Sequence, residues 1–236
     1  MKNRVKKTVS IILILFAVTL ISYTIFFLIS LPNVSSLIKS NPSITAMMKQ
    51  RIREAKKHKK KLYIKQKWVS LNKIPKLLID SVILTEDALF YHHNGVDYHE
   101  LKEAIKKNIK KGSKVRGGST ITQQLAKNLY LSTHKSYLRK LKEFFIAKRL
   151  EKHLSKDRIL EIYLNVIEFG RGIFGVEAAS FHFFKKPVSQ LSLEEIVRLV
   201  AVIPKPLRVS PFSKSKYLKW RINLILKKLK IYKKLK

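Results

Sequence analysis

The chain has 236 residues, room for one medium domain with appendages, and no cysteine, which excludes disulfides and cysteine-ligated zinc. Its 50 Lys and Arg against 15 Asp and Glu leave a net charge of +35, far beyond what solubility needs. Such a field concentrates anionic partners (nucleic acid, acidic lipid or phosphorylated substrate), and charge alone does not choose among them.

Residues 1–7 form a short basic tail carrying Lys2, Arg4, Lys6 and Lys7. Residues 8–31 hold no charge and are dominated by Ile, Leu, Phe and Val, which predicts a transmembrane helix. As a helix the run spans ~36 Å at ~1.5 Å per residue, against a hydrocarbon core of ~30 Å. A cleaved signal peptide is the alternative. The length of the run and the lack of a small-residue cleavage site weigh against it. Basic residues before the span favour a cytoplasmic N-terminus, and large domains translocate largely regardless of their charge. The remainder is therefore expected outside the cytoplasm, which weighs against nucleic acid as the partner.

Pro32 ends the span. Residues 32–67 are a basic juxtamembrane segment, with ten Lys and Arg between Lys49 and Lys67 against the single Glu54. It reads as a solvated, partly mobile arm or as a contact with anionic headgroups. Trp68 belongs to the interface or to the core. Residues 68–212 are expected to form the main domain. Leu77, Leu78, Val82 and Ile83 repeat at helical spacing and lead into Glu86. Leu101, Ile105 and Ile109 make a second helical stripe, closed by Gly112. Residues 137–154 and 155–169 are helical by periodicity, the second with Ser155 as N-cap and Asp157 in its first turn. Residues 176–184 and 193–202 predict buried helices. Alternating runs are scarce, so the domain is expected to be mainly α. Residues 213–236 hold ten bases and no acid. There Leu218, Ile222, Ile225, Leu229 and Tyr232 give a basic amphipathic helix, lying on a membrane or packed on its own domain.

Three stretches carry chemistry. Glu86 and Asp87 stand adjacent and are flanked by Ile83, Leu84, Leu89 and Phe90. Such a pair is either a solvated helix start or a working site, because apolar surroundings suit a carboxylate to general-base chemistry near neutrality. His92 and His93 lack the spacing of a zinc helix, and His93 is expected to hydrogen-bond in a turn ended by Gly95. In the stretch from Arg116 to Lys127, Thr120 and Gln123 have capping-box spacing, so a helix is predicted to begin at Ile121. Gly117 and Gly118 precede it. A helix start with free N–H groups, flanked by Arg116 and Lys127, suits a phosphate or diphosphate; an ordinary turn before a capped helix is the other reading. A nucleotide P-loop is excluded, since Gly118 stands where that motif needs Lys. Glu143 shares a helical face with Ala147 and Leu150, yet also has the spacing of an exposed ion pair with Arg139. Glu161 is expected to be structural, paired with Arg158 or bracing a neighbouring segment.

These residues carry a resemblance. Glu86-Asp87, Phe90, His93 and Gly95 resemble the first signature of the peptidoglycan glycosyltransferases, glycosyltransferase family 51. The run Arg116-Gly117-Gly118-Ser119-Thr120-Ile121-Thr122-Gln123-Gln124-Leu125, with Lys127-Asn128, resembles the second. Arg139-Lys140 with Glu143 is similar to the third, and Lys156, Ile159-Leu160-Glu161 and Tyr163-Leu164-Asn165 to the fourth. Gly170, Gly172-Ile173, Gly175-Val176 and Ala178-Ala179, followed by Phe184 and Lys186, resemble the next. Five ordered motifs over residues 68–212 are a specific match. His182 and Phe183, where an aromatic such as Tyr is common, depart mildly.

The resemblance implies a lysozyme-like, mainly helical domain with a smaller membrane-proximal lobe after one transmembrane helix. A single anchor and no room for a transpeptidase point to the monofunctional branch. The implied localisation is the inner membrane, single-pass, with a periplasmic catalytic domain. The implied reaction polymerises lipid II onto a lipid-linked glycan and releases undecaprenyl diphosphate. Glu86 would be the general base of an inverting transfer. Glu143 would assist the departing diphosphate through a divalent cation (Mg or Mn) or a neighbouring base. No other cofactor is implied. Arg116 and Lys127 would balance phosphate charge, Ser119, Thr120, Gln123 and Gln124 would shape the donor site, and Asp87 would orient local groups. Partners would be the membrane and cell-wall synthesis proteins. Two other classes are a lysozyme-like lytic enzyme and a non-enzymatic anchor for anionic lipid.

Overall fold

The computed structural model describes residues 2–110, 118–134 and 136–234. The expectations placed on Gly112, Arg116 and Gly117 lie outside them. The chain divides into two units, the first ending at Asn33 and the second beginning at Val34. The first holds α1, Lys2–Ile29. By length and composition its stretch Lys6–Ile29 is a candidate membrane span. Thr19 and Thr24 turn their hydroxyls back onto the carbonyls of Leu15 and Leu20, at 2.8 Å each. That bond lets a polar side chain sit in an apolar helix.

The second unit runs α2 (Ala46–Lys57), β1 (Lys65–Gln66), α3 (Lys76–Glu86), α4 (Tyr98–Lys110), α5 (Ile121–Tyr130), α6 (Tyr137–His153), α7 (Lys156–Val166), β2 (Glu168–Gly170), β3 (Ile173–Phe174), α8 (Val176–Phe184), α9 (Leu193–Val202) and α10 (Lys216–Lys234). The mainly α class expected from the sequence is met. Helix α5 is the hub, packed on α2, α6 and α7, while α3, α9 and α10 pack on one another. Of its ten residues only Gln124, Lys127 and Tyr130 escape burial. An almost wholly buried helix needs both ends satisfied, and Thr120 supplies the start: its side chain accepts from Gln123 N–H while the Gln123 side chain accepts from Thr120 N–H, each at 3.1 Å. Ser192 caps α9 with the same reciprocal pair, made with Glu195, and Ser155 caps α7 by accepting from the Arg158 N–H alone.

Three differences from the sequence reading have physical causes. The basic segment before Trp68 is not wholly a solvated arm. Met47, Met48 and Ala55 bury one side of α2, and Arg51 binds both carboxylate oxygens of Glu168 at 2.8 and 2.7 Å. Helix α7 stops at Val166 instead of running on to Phe169. Glu168–Gly170 instead pairs antiparallel with β3, whose other edge takes β1 in parallel. Gly175, at φ 81°, follows this turn; a Cβ there would stand 2.6 Å from the Asn165 carbonyl oxygen, so only glycine fits. In α10 the buried stripe is Leu218, Arg221, Ile225 and Leu229. The phase is shifted to admit Arg221 in place of Ile222.

Candidate active site

The two adjacent carboxylates part company because α3 ends between them. Glu86 closes the helix, and Asp87, with its N–H on the Ile83 carbonyl, turns away. The Asp87 carboxylate is buried and accepts from His93 Nε2 at 2.9 and 3.0 Å and from the Ile121 N–H at 2.9 Å. It therefore ties the end of α3, the turn at His93 and the start of α5 into one piece. Lys156 extends the tie: its Nζ donates to the His93 carbonyl at 2.5 Å and to Glu151 at 2.8 Å, and Glu151 also accepts from Thr122 at 2.6 Å. His93 is a structural donor, as expected.

Glu86 faces a pocket of about 370 Å³. Arg221 of α10 donates to its Oε1 at 2.9 Å, with both side chains about one-tenth exposed. Gln124 donates to Oε2 at 3.2 Å. The Tyr163 hydroxyl donates to Gln124 Oε1 at 3.0 Å, which fixes which end of the amide points at Glu86. Burial pushes the Tyr163 phenol well above its ordinary value, with the Glu86 and Asp87 charges adding to the effect, so it stays a donor. Gly118, Ser119 and Thr120, and Trp220, Leu224 and Lys228 of α10, also line the pocket, together with the acids Asp97 and Glu100 and the residues around the end of α3. Lys228 also donates to the Leu84 carbonyl, strapping α10 to α3.

A second cluster surrounds Glu143. Its carboxylate is 3% exposed and is held between Arg139, 2.6 Å from Oε2, and Lys140 on Oε1. The exposed ion pair considered from sequence is thus a buried, doubly paired one. Lys140 reaches on to the Ser119 hydroxyl at 3.0 Å, joining this cluster to the rim of the Glu86 pocket. Burial lowers the pKa of Lys127; Glu143 opposes that, and Arg139 and Lys140 reinforce it. Gln124 and Lys127 lie three residues apart on the open stripe of α5, ~4.5 Å along its axis, so one helix serves both carboxylates.

The helix start at Ile121 differs from the expectation. Its N–H groups are not all free: Ile121 gives its own to Asp87 and Gln123 gives its own to Thr120. A buried helix end needs partners for its donors, and two of the N–H groups expected to be open to an anion are already taken. Ser119 and Thr120 line the pocket, while Gln123 is buried in the capping box. Glu143 is already held by two cationic side chains, Arg139 and Lys140, and lies close enough to Lys127 to act on its charge, a donor set that does not fit a divalent metal. Among the described residues no three His, Asp or Glu side chains gather to hold one. Sequence reasoning missed Arg221, Tyr163, Trp220 and Lys228 as site residues. For Arg221 a signal existed: it is an arginine on the buried stripe of an amphipathic helix, and a buried guanidinium needs a carboxylate partner.

The transglycosylase family model matches residues 51–230. A biosynthetic peptidoglycan transglycosylase of Janthinobacterium sp. (strain Marseille) is 43% identical over 192 residues, covering 81% of this chain and 83% of that protein. Its counterpart in Nitrosospira multiformis is 46% identical over 166 residues, 70% of this chain and 72% of that protein.

Proposed function

The chain belongs to the transglycosylase family, and from that membership we propose that it is a peptidoglycan glycosyltransferase that polymerises lipid II and releases undecaprenyl diphosphate. Glu86 is the general base. It takes the proton of the acceptor 4-hydroxyl, whose oxygen attacks the anomeric carbon of the donor and inverts it, through the oxocarbenium-like transition state general to glycosyl transfer. The bond to the diphosphate breaks as the new glycosidic bond forms. Lys127, Arg139 and Lys140 balance the charge of the departing diphosphate, with Ser119 beside them, and Glu143 keeps those cations in register. No step runs through a divalent cation. The candidate span in α1 fits a membrane-anchored enzyme meeting a lipid-linked substrate, with the N-terminus cytoplasmic and the catalytic domain periplasmic.

The observation that supports this reading best is the wall of the Glu86 pocket. The guanidinium of Arg221 and the amide of Gln124 both pair with the carboxylate form of Glu86, the form that accepts a proton. A lytic enzyme would need an acid there. The test is a gel of labelled lipid II incubated with detergent-solubilised protein, wild type beside Glu86→Gln, with and without EDTA. Polymer from the wild type in both buffers, and none from a folded Glu86→Gln, is expected. Polymer from the variant would refute the base; loss in EDTA would restore the cation. Cleavage of purified peptidoglycan without polymer formation would turn the assignment to the lytic class.

A further inference from the structure

Helix α10 presents two faces, and only one is accounted for by the domain. The inner face, Leu218, Arg221, Ile225 and Leu229, is buried. The outer face carries Lys216, Lys219, Lys227, Lys230, Lys233 and Lys234, all exposed. Between them stand three large apolar side chains, Trp220, Leu226 and Ile231, exposed at 57, 40 and 50%. No acidic residue follows Glu195 in the chain.

We propose that the outer face of α10 docks on an anionic lipid surface. The argument starts from cost. Lys227 and Lys230, Lys230 and Lys233, and Lys230 and Lys234 sit three or four residues apart, where like charges repel and destabilise a helix. A helix stabilised only by its own domain gains from acids at those spacings, and this one has none. A surface of negative headgroups removes the repulsion and binds the ammonium groups. The apolar trio argues for lipid over a purely polar polyanion: Trp and aliphatic side chains interleaved with Lys make the composition of a helix lying at a membrane interface. A second copy of this chain is a poor occupant, since the two lysine faces would repel. Trp220 also lines the Glu86 pocket, so docking by this face sets the pocket mouth at headgroup level. The two roles considered for this helix from sequence, packing on the domain and lying on a membrane, are then served by opposite faces. The inference does not depend on the reaction proposed above.

The absence of cysteine allows a local probe in the full chain. Asn223→Cys, at the middle of the outer face, is labelled with an environment-sensitive fluorophore; Lys152→Cys, exposed on α6, is the control. Each protein is reconstituted by its anchor into vesicles of neutral lipid or of neutral plus anionic lipid, with a headgroup-level nitroxide quencher. Quenching at position 223 is expected to exceed that at 152 severalfold in anionic vesicles. It should fall towards the control in neutral vesicles, in the Lys219→Gln/Lys227→Gln/Lys230→Gln variant, and when salt is raised so that the Debye length shrinks from about 10 Å to about 3 Å. Equal quenching at the two positions in anionic vesicles overturns the proposal and leaves the face to an acidic protein. Strong quenching at 223 that ignores lipid charge also overturns it, in favour of apolar insertion alone. Retained lipid II polymerisation with either outcome keeps this test separate from the enzymatic one.

Discussion

At the scale of the residue, the pocket depends on orientation as much as on the carboxylate it displays. Glu86 is legible in the sequence, because a carboxylate among Ile83, Leu84, Leu89 and Phe90 stands out in an acid-poor chain. What aims it is not, because Tyr163 reads as one more aromatic on a helical stripe. Its hydroxyl matters only once α7 lies beside α5 and meets Gln124. Tyr163→Phe tests this relay. The variant leaves Gln124 Oε1 without its donor, at a cost of about 1 kcal/mol in stability. The amide is then free to turn its oxygen towards Glu86. We expect kcat to fall about tenfold, equivalent to about 1.4 kcal/mol of barrier, with KM little changed in steady-state polymerisation. An unchanged kcat would mean that the amide's direction is irrelevant to the base.

At the scale of the element, capped helices were legible and their partners were not. Thr120 with Gln123, and Ser155 with Asp157, mark helix starts by local chemistry, and α5 and α7 begin there. The end of α7 is not legible because Ile167 and Phe169 continue its apolar pattern, and only the pairing with β3 makes Glu168–Gly170 a strand. Helix α10 shows the same limit: its periodicity is plain, but the shift that buries Arg221 exists only to meet Glu86 across the pocket. Breaking one side of a nearly buried pair leaves the other charge stranded. Arg221→Met is expected to destabilise the domain by about 3 kcal/mol, and adding Glu86→Gln should recover part of that loss. A thermal melt of the two single variants and the double decides it; simple additivity would mean the pair carries no coupling. Helix α9 offers a pH test. The hydrogen bond from Lys186 and the Ser192 N–H hold the Glu195 carboxyl below its usual range. That stabilisation is present above the ordinary glutamate value and is lost as pH falls through the lower folded one. Glu195→Gln should therefore melt lower than wild type at neutral pH, by under about 1 kcal/mol, and the gap should close in acid. A gap that persists below that range would assign the effect to the cap and not to the charge.

At the scale of the whole molecule, the few acids are spent inward. Glu86, Glu143, Glu151 and Glu168 are buried or nearly buried carboxylates paired with Arg221, with Arg139 and the more exposed Lys140, with Lys156 and with Arg51. The Glu86, Glu151 and Glu168 pairs each cancel one charge, while Glu143 with two cations keeps one positive charge in excess, so the field outside comes mainly from the lysines left over. The net charge of +35 is legible from composition alone; where that charge is felt depends on which groups the fold hides. A field of this kind raises the local concentration of an anionic substrate and so acts on encounter, while the cations around Glu143 act on the bound diphosphate at close range. Salt separates the two, because it screens exposed charges over about 10 Å at 0.1 M and about 3 Å at 1 M but reaches buried pairs weakly. In neutral detergent, with no anionic lipid to compete, raising salt over that range should lower kcat/KM for lipid II by about tenfold or more, while kcat holds nearly steady. The measurement is the initial rate of polymerisation at low and at saturating substrate. If kcat fell in step with kcat/KM, the screened charges would be those touching the departing diphosphate, and the Lys127, Arg139 and Lys140 cluster would have to be open to solvent when the bond breaks.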